Sequence, residues 1–356
     1  MHSARTLLRS NGAKAALLVL LSIALISCET VGYYSQAARG QLTIVFGRED
    51  IQRLIEQPDL SDELAGKFAR VMDIREFAEH ELGLPVGENY STYVDIEREH
   101  VVWNVFAAPE FSVDPVNWCY PVAGCVAYRG YFTEQSALGY AAKLEEDGFD
   151  VYTGGVDAYS TLGWFEDSLL STVLNRVDYQ LAGLIFHELA HQLVYLSGDT
   201  TFNESFATAV EREGVRRWLT KSNEVSNIDA ALLDYDRQQQ FVDLVTDYRD
   251  RFELLYQQDV VESSMRSQKM ELQQSMREEY AALKQQWQGY EGYDGWFSRS
   301  LNNAQLSTVA SYNDLLPFFA VVFDRSNQDF PAFYAEVGRI ADLPERERDE
   351  LVAAID

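Results

Sequence analysis

Basic residues are scarce in this chain of 356 residues: 29 lysines and arginines stand against 56 aspartates and glutamates, a net charge of −27. A surface of that sign repels phosphate backbones and argues against a nucleic-acid partner. Histidines number only five and cysteines three, so chemistry that depends on either must be concentrated in few places. Acids are missing from the first 28 residues, where Arg5, Arg9 and Lys14 precede an apolar run from Ala15 to Ile26. That run is too short to span a bilayer as a helix, but it has the length and flanks of a secretory leader. Glycine and proline are both missing from Val215 to Gln288, which removes the usual turn signals and predicts long helices. With 47% hydrophobic and 24% charged residues, the composition is that of a globular protein with one large core or two ordinary ones.

The leader ends in Leu25-Ile26-Ser27-Cys28, which resembles a bacterial lipobox, the site where a cysteine takes a lipid and becomes the new N-terminus. The expectation is a signal peptide over residues 1–27 and a chain anchored through Cys28 to a membrane of the cell envelope, on the periplasmic side. Losing three positive charges with the leader takes the net charge from −27 to −30. In such an oxidising compartment Cys119 and Cys125, six positions apart around Pro121 and Gly124, are expected to form one disulfide. No histidine lies near them, which argues against a metal site there.

Apolar residues three and four apart predict helices between Gln36 and Leu82. The β-branched and aromatic stretches YSTYVDI and HVVWNVFAA predict strands between Asn89 and Ala108, with more extended chain from Cys125 to Phe132. A helix capped by Thr133 and stopped at Gly148 follows, then strands in FDVYTGG and VDAYSTLGWF. Two further helices are expected, one from Asp178 to about Leu196, ended by Ser197-Gly198, and one from Thr201 or Asn203 to about Thr220. Beyond Ser222, Phe241, Val245, Tyr248, Phe252 and Leu255 mark one long apolar seam of a helical hairpin. The fold class expected is α+β: a catalytic region over residues 28–220, and a largely helical region over 221–356 packing on it.

The densest chemistry lies in FHELAHQLVYLSGDTTFNESFATAVE, from Phe186 to Glu211. His187 and His191, four apart, share a helix face and can hold one ion between them. Glu188 lies next along the helix, where it can reach a water on that ion without ligating it. Hydrolytic zinc sites need a third protein ligand and an open position. Glu204, at the start of the next helix, is placed to supply the ligand, with Glu211 and Glu213 as competitors further from the turn.

HELAHQ followed by NESFATAVEREGVRRW, together with GYYSQAARGQL, CYPVAGCVAYRGYF, AYSTLGWFEDSLL and NNAQLSTVASYNDLLPFF, resembles the predicted bacterial aminopeptidase family, a lipoprotein group of gluzincin-like zinc peptidases. The resemblance runs in order through nearly all of the chain after the leader. It implies His187, His191 and Glu204 as ligands of one Zn2+ per chain, Glu188 as general base, and a peptide substrate. Many gluzincins place an aspartate four residues after the ligand glutamate to orient a histidine. Here that position is Thr208, and Asp178 and Asp199 are the substitutes considered. Substrate backbone pairing is expected from the stretch Tyr159 to Gly163, and an oxyanion donor from Tyr128, Arg129, Tyr131 or Tyr312. Glu166, Asp167 and Glu211 are candidates to grip a free amine. The competing functional readings are a chaperone-like envelope lipoprotein with a structural zinc, and a zinc endopeptidase or cell-wall amide hydrolase.

Overall fold

The computed structural model describes residues 31–120, 124–158, 166–309 and 315–354. The leader, Cys28 and the expected strand beyond Ala158 lie outside these residues. The chain begins with helix α1 (31–46), then the short strand β1 (Glu49–Asp50) and helices α2 (Ile51–Ile55) and α3 (Asp62–His80). Ser61 starts α3 as an N-cap, accepting from the backbone N–H of Leu64.

Among the described residues, three small sheets follow rather than one large one. β2 (Thr92–Val94) lies between β1, antiparallel, and β8 (Leu169–Leu170), parallel. β3 (Val102–Pro109) is the centre of an antiparallel sheet, flanked by β6 (Arg129–Tyr131) and β7 (Phe149–Val156). Its two longest strands pair along their whole length, from Val102 opposite Val156 to Pro109 opposite Phe149. Helix α4 (Glu134–Glu146) covers this sheet, capped by Thr133, and Gly148 completes its stop at φ +87°. β4 (Trp118–Tyr120) and β5 (Gly124–Val126) form a hairpin in which Cys119 and Cys125 face each other and are joined by a disulfide.

The remainder is helical, so the fold is mixed α+β with helices dominant. α5 (Asp178–His191) and α6 (Thr200–Lys221) are the central pair. α5 is apolar nearly all round, and Leu181, Ala182, Ile185, Phe186, Leu189 and Ala190 are buried among α3, α6 and the C-terminal helices. At Gly214 a β-carbon would meet Phe186 and Leu82 at 2.8 and 2.9 Å, so glycine is what lets α6 lie this close to α5.

The motif helix stops at His191, five residues before the expected Leu196. Beyond that end, at Leu196, the chain is tied back to α6 by Asn203, which is buried. Its side chain accepts from the Leu196 N–H and donates to the Leu196 carbonyl, at 2.7 and 2.8 Å. Asp199 then caps α6 through the Phe202 N–H.

Helices α7 (Val225–Tyr256) and α8 (Glu262–Gln286) form the expected hairpin. The seam residues Phe241, Val245, Tyr248 and Phe252 are buried in a second core with Met276, Tyr280 and Trp287. The short helices α9 (Asp294–Phe297) and α10 (Asn303–Leu306) close it. The last three helices, α11 (Leu316–Arg325), α12 (Phe330–Ala341) and α13 (Glu345–Ala353), return to the first core, where Phe319 and Phe333 pack against Phe206. The C-terminal residues thus help bury the helix that carries Glu204.

A buried polar junction ties the hairpin to the sheet. Lys269 of α8, almost fully buried, donates to Asp150 of β7 at 2.6 Å and to the Glu110 carbonyl at 2.8 Å, while Asp150 also accepts from the Asn303 N–H. Removing one partner of a buried pair strands the other charge. Asp150→Ala is expected to lower stability by about 3 kcal/mol in urea denaturation; a loss within error of zero would show that the junction is dispensable.

Candidate metal centre

The α5–α6 pair runs antiparallel, so His191 and His187 of α5 face Glu204 near the start of α6. One ligand atom from each of the three side chains lies within 4.8 Å of the other two, and the three could hold a metal ion. His187 Nε2 is 3.1 Å from Glu204 Oε2, and His191 Nε2 is 3.7 Å from the same oxygen. Four-coordinate zinc with bonds near 2.1 Å sets neighbouring donors about 3.4 Å apart, so the observed spacings bracket what an ion requires. Two imidazoles and one carboxylate, with a further position open, is also the donor set of hydrolytic zinc sites.

Glu211 takes a place that the sequence left undecided. It sits on the other side of His187, its Oε2 3.1 Å from Nδ1, so it holds the ring rather than meeting an ion. Glu211 is two helical turns beyond Glu204 on the same face. Space for it is made on α5 by Gly183, one turn before His187, where a β-carbon would come within 3.2 to 3.5 Å of the Glu211 carboxylate. Tyr235 of α7 lies near enough to Glu211 for that carboxylate, after burial, to raise its phenol, and the Arg212 guanidinium lies 5.1 Å from the Tyr235 ring. Asp178 and Asp199 do not serve the histidines. Asp178 pairs with Lys67 and Arg70 of α3, and Asp199 is the α6 cap, 3.6 Å from Arg348. Glu213 is held by Arg216 and Arg217. His191 Nδ1 is buried without a hydrogen-bond partner among the described residues.

Electrostatics at the group are strong. Burial opposes charge on His187, but the hydrogen bonds it donates to Glu204 and Glu211 outweigh it and raise its pKa to about 10. Burial likewise opposes charge on Glu204, and the two histidines overcome it, bringing the carboxyl to about 2. The His187 ring thus lies between two carboxylates, Nε2 facing Glu204 and Nδ1 facing Glu211. Glu188 is pushed upward, first by burial and then by the neighbouring charges of Asp167 and Glu204, although both histidines counter it.

Of the remaining candidates, Tyr128 is brought to the site. Burial raises its phenol above the ordinary value, and the Glu204 and Glu188 carboxylates raise it further. The residue is 41% exposed and packs its ring against Phe106, 5.7 Å between centroids. Tyr195 is raised by burial and by Glu204, a neighbour the sequence did not single out. Arg129 is elsewhere, stacked between Tyr33 and Tyr140 at 4.2 and 4.5 Å, and Tyr131 is buried beneath α4. Tyr159, Gly163 and Tyr312 lie outside the described residues. Asp167 is buried close enough to Glu188 and Tyr90 to perturb both, whereas Glu166 is exposed.

Because Glu211 fixes the His187 ring, Glu211→Gln is expected to weaken metal binding about 10- to 100-fold, the usual cost of losing such a partner. Competition against a chelator measures it, and an unchanged affinity would remove Glu211 from the site.

No curated protein and no solved structure matches the chain. A family model does, the one described as “Putative aminopeptidase”, over residues 32–352. That span takes in every described element from α1 to the last turns of α13, with the His187–His191–Glu204 group inside it, and on this evidence the chain belongs to the putative aminopeptidase family.

Proposed function

We propose that this protein is a zinc-dependent metallopeptidase, acting as an aminopeptidase, lipid-anchored through Cys28 on the periplasmic side of the bacterial envelope. In this reading residues 28–220 form the catalytic region, and 221–356 the helical region packed on it. The observation that carries the proposal is the convergence of His187, His191 and Glu204 with Glu188 beside them. Zinc held by those three side chains would supply a Lewis acid for the scissile carbonyl and a lowered pKa for water. Glu188 takes the proton of the attacking water and returns it to the leaving nitrogen. Glu211 keeps the Nε2 edge of His187 turned towards Glu204 throughout. Tyr128 donates to the oxygen that gains charge as the carbonyl is attacked. Asp167, the acid lying by Glu188, is the group that meets the free amine of the substrate.

Peptides with free and N-acetylated termini test the specificity. Cleavage of the free form, with the acetylated form inert, supports aminopeptidase action; equal cleavage of both would make the enzyme an endopeptidase. Tyr128→Phe is expected to lower kcat about 100-fold with little change in KM, as for loss of one oxyanion donor. An unchanged kcat would leave that role to another side chain.

A further inference from the structure

The exposed face of α1 (31–46) is free of acids and mostly apolar, with Ser35, Arg39 and Thr43 as its polar side chains, and it begins four residues after the proposed leader. Its inner face is fixed. The Tyr33 ring stacks on Tyr120 and Gln36 bonds the backbone of Gly130 and Phe132. Gly40 lies so close to the Phe132 ring that a β-carbon would overlap it, and Ile44 is buried. The outer face carries Val31, Tyr34, Ala38, Leu42 and Phe46, spaced three and four apart along one stripe. Four of these are large and open to solvent: Val31 at 66%, Tyr34 at 45%, Leu42 at 50% and Phe46 at 82%. A helix that packs one apolar face and leaves a second one bare has an occupant for the second.

Charge and position identify that occupant. In a chain with 56 acids, none lies between Val31 and Arg48, while Arg39 and Arg48 do. Arg39 is exposed at the rim of the stripe. The apolar run Ala15–Ile26 ends five residues before Val31, a link that reaches at most about 17 Å when extended. The anchor proposed above at Cys28, on which this inference rests, puts the membrane within that distance. We propose that α1 lies flat on an anionic phospholipid surface, its stripe of Val31, Tyr34, Leu42 and Phe46 inserted at the headgroup level. This is the pattern of interfacial helices, an apolar face bordered by arginine, and the helix offers about 24 Å of contact. The net charge of −27 opposes approach of the protein to such a membrane as a whole, so an acid-free helix is the part suited to meet it. One tether leaves the protein free to swivel; the docked helix fixes its orientation. Through Gln36, Tyr33 and Gly40 it also fixes the β4–β5 hairpin and β6 against the bilayer. The proposal is independent of the zinc chemistry.

The test is hydroxyl-radical footprinting of the full chain reconstituted in vesicles of phosphatidylethanolamine and phosphatidylglycerol, with flotation reporting attachment. Leu42 and Phe46 are expected to label severalfold more slowly than Leu233 and Leu254, exposed controls on α7. The double variant Leu42→Asp/Phe46→Asp changes only exposed positions. It is expected to melt at the wild-type temperature and still float, while Tyr34 labels as fast as Tyr195, a tyrosine of similar exposure. Equal labelling of stripe and controls on vesicles overturns the proposal, as does a Tyr34 that stays protected in the variant, or a chain that does not float. Protection that grows with the number of chains per vesicle assigns the face to a second copy and also overturns it.

Discussion

Glu188→Gln should bind zinc as the wild type does and lose peptide hydrolysis by about a thousandfold, within the range for removing a general base. The substitution keeps the side chain's shape and leaves His187, His191 and Glu204 in place. It removes only the ability to accept a proton. The geometry makes this a clean separation, because Glu188 follows His187 on α5 but has no part in the three-atom cluster. Burial and the acids Asp167 and Glu204 raise its affinity for a proton, which suits a carboxylate that must take one from water and give it up again. Steady-state kinetics on an unblocked peptide, with metal content measured on the same preparation, decide the matter. Near-normal turnover would take Glu188 out of the mechanism, whereas lost metal would turn it into a structural residue.

Glu204→Ala has the other large expected effect: zinc content should fall from about one per chain to near none. Glu204 Oε2 is the atom shared by both histidine contacts, at 3.1 and 3.7 Å, so its removal leaves two imidazoles with no third ligand. The competitors cannot move in to replace it. Glu211 is engaged at the far nitrogen of His187, and Glu213 is held by two arginines. In the wild type, zinc must expel the proton that His187 holds with a pKa of about 10. Metal affinity should therefore rise with pH up to that region and level off above it, with roughly one proton released per zinc bound near neutrality. Calorimetry in buffers of different ionisation enthalpy reads that proton directly. Zinc retained at full stoichiometry by Glu204→Ala would shift the ligand role to another acid.

The candidate site was legible where short spacing decides geometry. Residues four apart on one helix must share a face, and Glu204 begins the next helix after a turn too short to carry it far away. Glu211 was visible as an acid on the right face of α6. Its role was not, because that depends on which side of the His187 ring it reaches, and the absent side chain of Gly183 sets that. Tyr235 arrives from an element distant in sequence, so no local pattern announces it, and Tyr128 was one of four donors considered, with no local pattern to choose among them. The path of the chain beyond the early end of α5 was hidden in the same way. Asn203 satisfies both backbone groups of Leu196, and a side chain that stands in for a turn leaves no periodic signal. Strands in β3 and β7 and the hairpin α7–α8 followed from alternation and from a long seam uninterrupted by glycine or proline. The return of α11 to α13 to the first core did not follow, since an amphipathic helix specifies a buried face but not which core buries it.

The most direct test strips the purified protein with a chelator and titrates zinc back, while hydrolysis of an unblocked peptide is followed. The stripped protein is expected to be inactive, with activity rising in proportion to added zinc and saturating at about one ion per chain. Full hydrolysis by the metal-free protein would contradict it, as would a protein that takes up no zinc.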